Sequence, residues 1–112
     1  MISKEITERI HELQGREWEF VEASRKVSDA ESAYEVEKML NALSKETVDL
    51  EEDILVWVEG QPEFADPDPE SPEKTPAYFQ AAADVLRMHT GGEPFLMELA
   101  NYWGKIDWDN VG

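Results

Sequence analysis

Residues 29–58 read DAESAYEVEKMLNALSKETVDLEEDILVWV, and the fold turns on whether this is one long helix. Ala33, Val36, Leu40, Leu43, Thr47, Leu50, Ile54 and Trp57 recur at alternating steps of three and four, the spacing of a heptad seam. Ser28-Asp29-Ala30-Glu31 resembles a capping box at its start, with the Ser28 hydroxyl and Glu31 carboxylate answering free amides. Gly60 and Pro62 stop it. Two other readings compete. Ser44-Lys45-Glu46 can cap a separate helix, and the apolar, β-branched run Ile54–Val58 suits a buried strand.

Working outward, Ser3 to Val27 places Ile6, Ile10, Leu13 and Phe20 at helical spacing. Glu17 and Ser24 fall in the same stripe, and Gly15 interrupts it, which predicts a bent or partly buried helix. A short connection makes the two helices antiparallel neighbours, with facing positions summing to about 57 if they are level. Toward its end the second helix becomes apolar on several sides, at Val48, Leu55, Val56 and Val58, and so needs further cover. Thr75-Pro76 starts a third helix running to about His89. Gly91-Gly92-Glu93-Pro94 ends it and starts a fourth, to about Trp103. The expected fold is all-α, a single helical domain over 1–112. A long antiparallel hairpin (1–58) is followed by an acidic, Pro-rich connector (59–76) and two shorter C-terminal helices (77–112) packed on one end.

The connector, EGQPEFADPDPESPEKTP, holds five prolines and six carboxylates against one lysine. Prolines and like charges predict an extended, solvated segment.

Charge narrows function. The 112 residues carry 26 acidic and 10 basic side chains, a net charge of −16. Residues 28–60 hold −8 of it and residues 61–76 hold −4, so the excess is polarised. Direct binding to nucleic acid or to an anionic membrane is excluded for want of clustered Lys and Arg. With no cysteine there is no disulfide, thiolate metal site or thiol nucleophile. The N-terminal residues include no apolar leader, and no run is long enough for a membrane span, which predicts a cytoplasmic protein.

Motifs for catalysis are weak. Glu19-Phe20-Val21-Glu22 and Glu46-Thr47-Val48-Asp49 match the paired acidic strings of helical Mg²⁺-dependent pyrophosphohydrolases. In a level hairpin they fall about 13 Å apart, too far to share one ion. His11 and His89 stand alone, and Gly91-Gly92 lacks the lysine of a phosphate loop. No catalytic residue, metal ligand or cofactor is expected.

Acids repeat at i, i+4 in Glu8/Glu12, Glu31/Glu35 and Asp49/Asp53, a spacing that costs a helix a few tenths of a kcal/mol per pair. Carboxylates so placed stand about 6 Å apart, close to twice the phosphate advance along one nucleic-acid strand. The expected partner is therefore a basic protein that normally binds nucleic acid. The expected role is an inhibitor of the anti-CRISPR or anti-restriction type found in phages. A nuclease-toxin immunity protein is the near rival. A helical assembly protein that dimerises through Leu40, Leu43, Leu50 and Ile54 is the other alternative. The residues expected to meet the partner are Glu31, Glu35, Asp49, Glu52 and Asp53, with Asp66, Asp68 and Glu70 in the connector. Trp108, beyond Gly104, is an interface anchor of the aromatic type. Phe95, Leu96, Leu99 and Trp103 have helical spacing and read as core.

Overall fold

The computed structural model describes residues 2–67 and 69–105. All regular structure among them is helical: α1 (Lys4–Arg25), α2 (Ala30–Glu59), α3 (Pro76–Met88) and α4 (Pro94–Gly104). α2 is unbroken, so neither a cap at Ser44 nor a strand at Ile54–Val58 forms. Thr47 remains compatible with the helix because its hydroxyl donates to the Leu43 carbonyl at 2.8 Å.

The start of α2 lies one residue later than the sequence suggested. Asp29, not Ser28, is the cap. Its carboxylate accepts from the Ser32 amide at 2.8 Å, and the Ser32 hydroxyl accepts in return from the Asp29 amide at 3.2 Å. This is a reciprocal box built from Asp29 and Ser32, leaving Glu31 out. The two Ser32 hydrogen bonds hold the Asp29 carboxyl below its usual range.

The chain divides into two compact units, one over Ser3–Glu52 and the other from Asp53 onward together with Ile2. In the first, α1 and the body of α2 run antiparallel. Ser3 caps α1, its hydroxyl accepting from the Ile6 amide at 3.3 Å. Ile6, Ile10 and Leu13 of α1 are buried, as are Leu43 and Leu50 of α2. Beyond Leu13 on α1 and before Leu43 on α2, no side chain of the hairpin is buried. The interior is thus confined to the half of the hairpin farther from its turn. Arg16 pairs with Glu46, and Leu13 shares a groove with Leu50. Facing positions therefore sum to 62 or 63, an offset of about one and a half helical turns. The first turn of α2 projects past the end of α1, and most of its side chains are exposed.

In the second unit the last turns of α2 bury Ile54, Leu55 and Val58, while Val56 on another side is 65% exposed. Val48, also expected to be covered, is 53% exposed in the hairpin. α3 and α4 pack on each other through Ala82, Ala83, Leu86, Leu96, Leu99, Ala100 and Trp103, all buried. Three alanines among these let the helix backbones approach closely. Gly91 and Gly92, at φ 57° and 83°, make the tight reversal between α3 and α4 in a region that disfavours other residues. At Gly104 the close neighbour is the end of a flexible side chain. A Cβ there would lie 2.8 Å from the Arg87 guanidinium, which reaches across to the Ala100 carbonyl at 3.4 Å.

The connector is not held extended as its composition implied. The Gln61 side chain donates to the Trp57 carbonyl at 3.1 Å, and the Phe64 amide closes a turn on the Gln61 carbonyl. The Phe64 ring then packs edge-on against Tyr78, with centroids 5.3 Å apart. The Tyr78 hydroxyl donates to the Glu59 carboxylate at the end of α2, and the Glu63 carboxylate pairs with the His89 ring at the end of α3. His89 itself lies edge-on to Trp57 at 5.1 Å, and its carbonyl accepts from the Ile2 amide. Burying one aromatic ring and satisfying two carboxylates outweighs the repulsion that would spread the segment.

Two outcomes follow in stability measurements. Leu50→Ala should cost about 2–5 kcal/mol in denaturant unfolding, whereas Leu40→Ala at an exposed seam position should cost about 0.5 kcal/mol or less. Burial and the Glu59 carboxylate push the Tyr78 hydroxyl above its usual value of 10.0, so its contribution is complete below that pH and fades as pH rises beyond it. Tyr78→Phe should therefore lose less melting temperature than the parent chain between about pH 10 and pH 12.

Candidate functional site

α2 carries most of the residues expected to meet a partner. Glu31, Glu35, Asp49, Glu52 and Asp53 are all exposed, Asp53 falling in the second unit. Within the hairpin the carboxylates form two groups, not an unbroken row. The gap between them runs from Glu37 to Glu46, nine residues or about 14 Å along the axis. The interval contains Lys38, Ala42 and Lys45, and Lys38 lies 3.8 Å from Glu35 in a loose ion pair. In the second unit Asp66 and Glu70 are exposed on the connector. Asp68 and Trp108 lie outside the described residues.

The flank of the hairpin that bears Glu35 and Asp49 has two hollows. One is lined by Glu19, Glu35, Lys38, Met39 and Ala42, the other by Arg9, Glu12, Arg16, Glu46 and Asp49. The second was not anticipated. It sets two arginines of α1 among acids of both helices, because Arg9 and Arg16 are seven residues apart and so share one face of α1. The Arg16 guanidinium donates to the Glu46 carboxylate and holds it below its ordinary range. Part of the acidic surface is thus neutralised locally, and Glu46 is tied down where the flanking Asp49 stays open to solvent. Glu51, on another side of α2, behaves oppositely: partial burial pushes its carboxyl up.

The offset brings Glu19 to within three residues of the level of Glu46, closer than the roughly 13 Å of a level hairpin, and Arg16 lies beside both carboxylates. Glu46 is engaged by Arg16, while Glu19 shares the other hollow with Lys38. Among the described residues no three His, Asp or Glu side chains converge as a metal cage would require. The proposed dimer seam also changes. Leu43, Leu50 and Ile54 are buried within the chain, and of the four only Leu40 remains exposed, at 47%.

Sequence reasoning missed the aromatic surface of α1. Trp18 is 62% exposed. The signal was its place off the Ile6–Ile10–Leu13–Phe20 stripe, where an apolar ring has no neighbour to cover it. Tyr34 and Tyr102 are likewise exposed, at 59% and 63%. Among the described residues no helix is long and apolar enough to cross a membrane.

Because the Glu46 carboxyl is held low by Arg16, its contribution is present above about pH 4.5 and is lost as pH falls through the lowered value. Glu46→Gln should flatten the loss of melting temperature between about pH 6 and pH 3. A slope equal to that of the parent chain would mean the pair adds nothing to stability.

No family model, curated protein or solved structure matches this chain, and the functional reading rests on its own residues.

Proposed function

We propose that the chain is a non-enzymatic, acidic inhibitor that binds a larger protein and occludes a basic surface meant for nucleic acid. The anti-CRISPR and anti-restriction proteins are the class it fits, with the immunity protein of a nuclease toxin as a close variant of the same chemistry. The observation that supports it most is the exposure of Glu31, Glu35, Asp49 and Glu52 on a single helix within a chain of net charge −16. A rigid helix presents fixed charges without the entropy loss of ordering a loop. Clustered like charges add nothing to the helix itself, which favours a role outside it. Complementary fields of this kind accelerate encounter and exclude acidic competitors more than they tighten the complex. The exposed Asp66 and Glu70 of the connector extend the same negative character.

The reading is tested by tagged capture from bacterial lysate, with mass spectrometry of the bound protein at low and high salt. The expected partner is a basic nucleic-acid enzyme whose substrate binding the chain inhibits. Raising salt from about 0.1 M to 1 M contracts the screening length from about 10 Å to 3 Å and should release it. Replacing Glu31, Glu35, Asp49 and Asp53 by Lys should abolish capture at low salt. A partner indifferent to both salt and charge reversal would sink the proposal.

A further inference from the structure

The other flank of the hairpin has a different chemistry. Phe20 and Val21 of α1 face Leu40, Leu43, Ser44 and Thr47 of α2 across an open groove, with Glu17 at its edge. Leu43 forms its floor and is buried, whereas Leu40 and Val21 are 47% and 37% exposed. The apolar strip continues along both helices. Trp18 stands three residues before Val21, and Val48 stands four after Ser44, each more than half exposed. A single exposed valine is ordinary, but Trp18 and Val21 on successive positions of one face of α1, beside Leu40 of α2, make a patch. One of them is a tryptophan, the residue type most enriched among binding hot spots. Glu35 and Asp49 line hollows on the opposite flank, so this groove is separate from the acidic surface.

Charge decides what the groove accepts. No lysine or arginine lines it, and Glu17 borders it directly. On α2, Glu37 precedes Leu40 by three residues and Glu51 follows Thr47 by four, so each end carries a carboxylate one turn away. The nearby cation on α1, Arg25, is paired with Glu22 at 3.3 Å. A second copy of the chain would set these acids against their own counterparts. A helix with an apolar stripe between rows of lysine and arginine would instead place leucine-sized side chains in the groove and cations on its rim. We infer that this groove receives a basic amphipathic helix of a partner protein, anchored on Trp18, Val21 and Leu40. The inference does not need the opposite flank to be functional.

The probe is a labelled Leu/Lys amphipathic peptide of about five helical turns, titrated with the full chain by fluorescence anisotropy. Saturable binding is expected at moderate salt, weakened at least about tenfold by Leu40→Asp and by Val21→Asp. Both substitutions add negative charge, so an attraction that was only coulombic would strengthen, and the sign separates the two causes. Circular dichroism of both variants checks that the hairpin persists, and two variants on different helices guard against loss of one of them. Affinity unchanged in both would overturn the inference. So would equal binding of a Leu/Glu peptide of the same length. A dimer of the parent chain in sedimentation, split by Leu40→Asp, would also overturn it by assigning the groove to a second copy. Peptide binding that is lost on reversing Glu31, Glu35, Asp49 and Asp53 but kept in Leu40→Asp would dismiss the groove and leave the acidic reading standing.

Discussion

A helix of thirty residues turns more than eight times, and each turn of its apolar stripe must find cover or meet water. α2 meets that requirement unevenly. Leu43 and Leu50 are covered in the hairpin, and Ile54 and Val58 in the second unit. Toward its start the stripe outruns its neighbour, because the stripe of α1 carries Glu17 and Ser24 where further apolar residues would be needed. Much that is distinctive about the surface follows from this shortfall. The exposed Leu40 and the acids Glu31 and Glu35 belong to the poorly covered half of the hairpin, whereas Asp49 sits beside the buried Leu50.

How far the sequence foretold this depends on the residue. The continuity of α2 was legible because eight seam positions keep one period through Ser44 and Thr47, and the helix pair α3–α4 because Pro and Gly mark its borders. The cap of α2 was misplaced by one residue because Ser28/Glu31 and Asp29/Ser32 are both chemically sound boxes. Only the path of the chain into the helix selects between them. Glu17 and Ser24 in the stripe of α1 were a fair warning of partial burial, but not of where burial stops. The offset between α1 and α2 was not legible, since it depends on how side chains such as Leu13 and Leu50 settle together.

The connector teaches a related lesson. Its average composition argues for an extended, solvated strand, yet local structure is set by single residues. Phe64 is the lone aromatic in the segment, and its contact with Tyr78 fixes where the chain turns back. Glu59 and Glu63 then act as hydrogen-bond acceptors for Tyr78 and His89, not as part of a repelling cloud. The same selectivity applies on the hairpin, where Glu46 is engaged by Arg16 while Glu31 and Asp49 stay exposed. Counting carboxylates therefore overstates the charge available to a partner, and the exposed ones are the meaningful subset.

The anchoring of the connector at its beginning has a practical corollary for engineering. Gln61, Glu63 and Phe64 fasten the segment before its midpoint, and Thr75 caps α3 at its far end, its hydroxyl accepting from the Tyr78 amide at 3.2 Å. Between these fixed points Ser71 and Glu73 close a small turn, and Glu73 and Lys74 beyond it are exposed. A reporter domain spliced between Glu73 and Lys74 would leave that turn and both anchors untouched, the circumstance in which insertions are best tolerated. The chain thus offers an internal attachment site that spares the hairpin and both of its flanks.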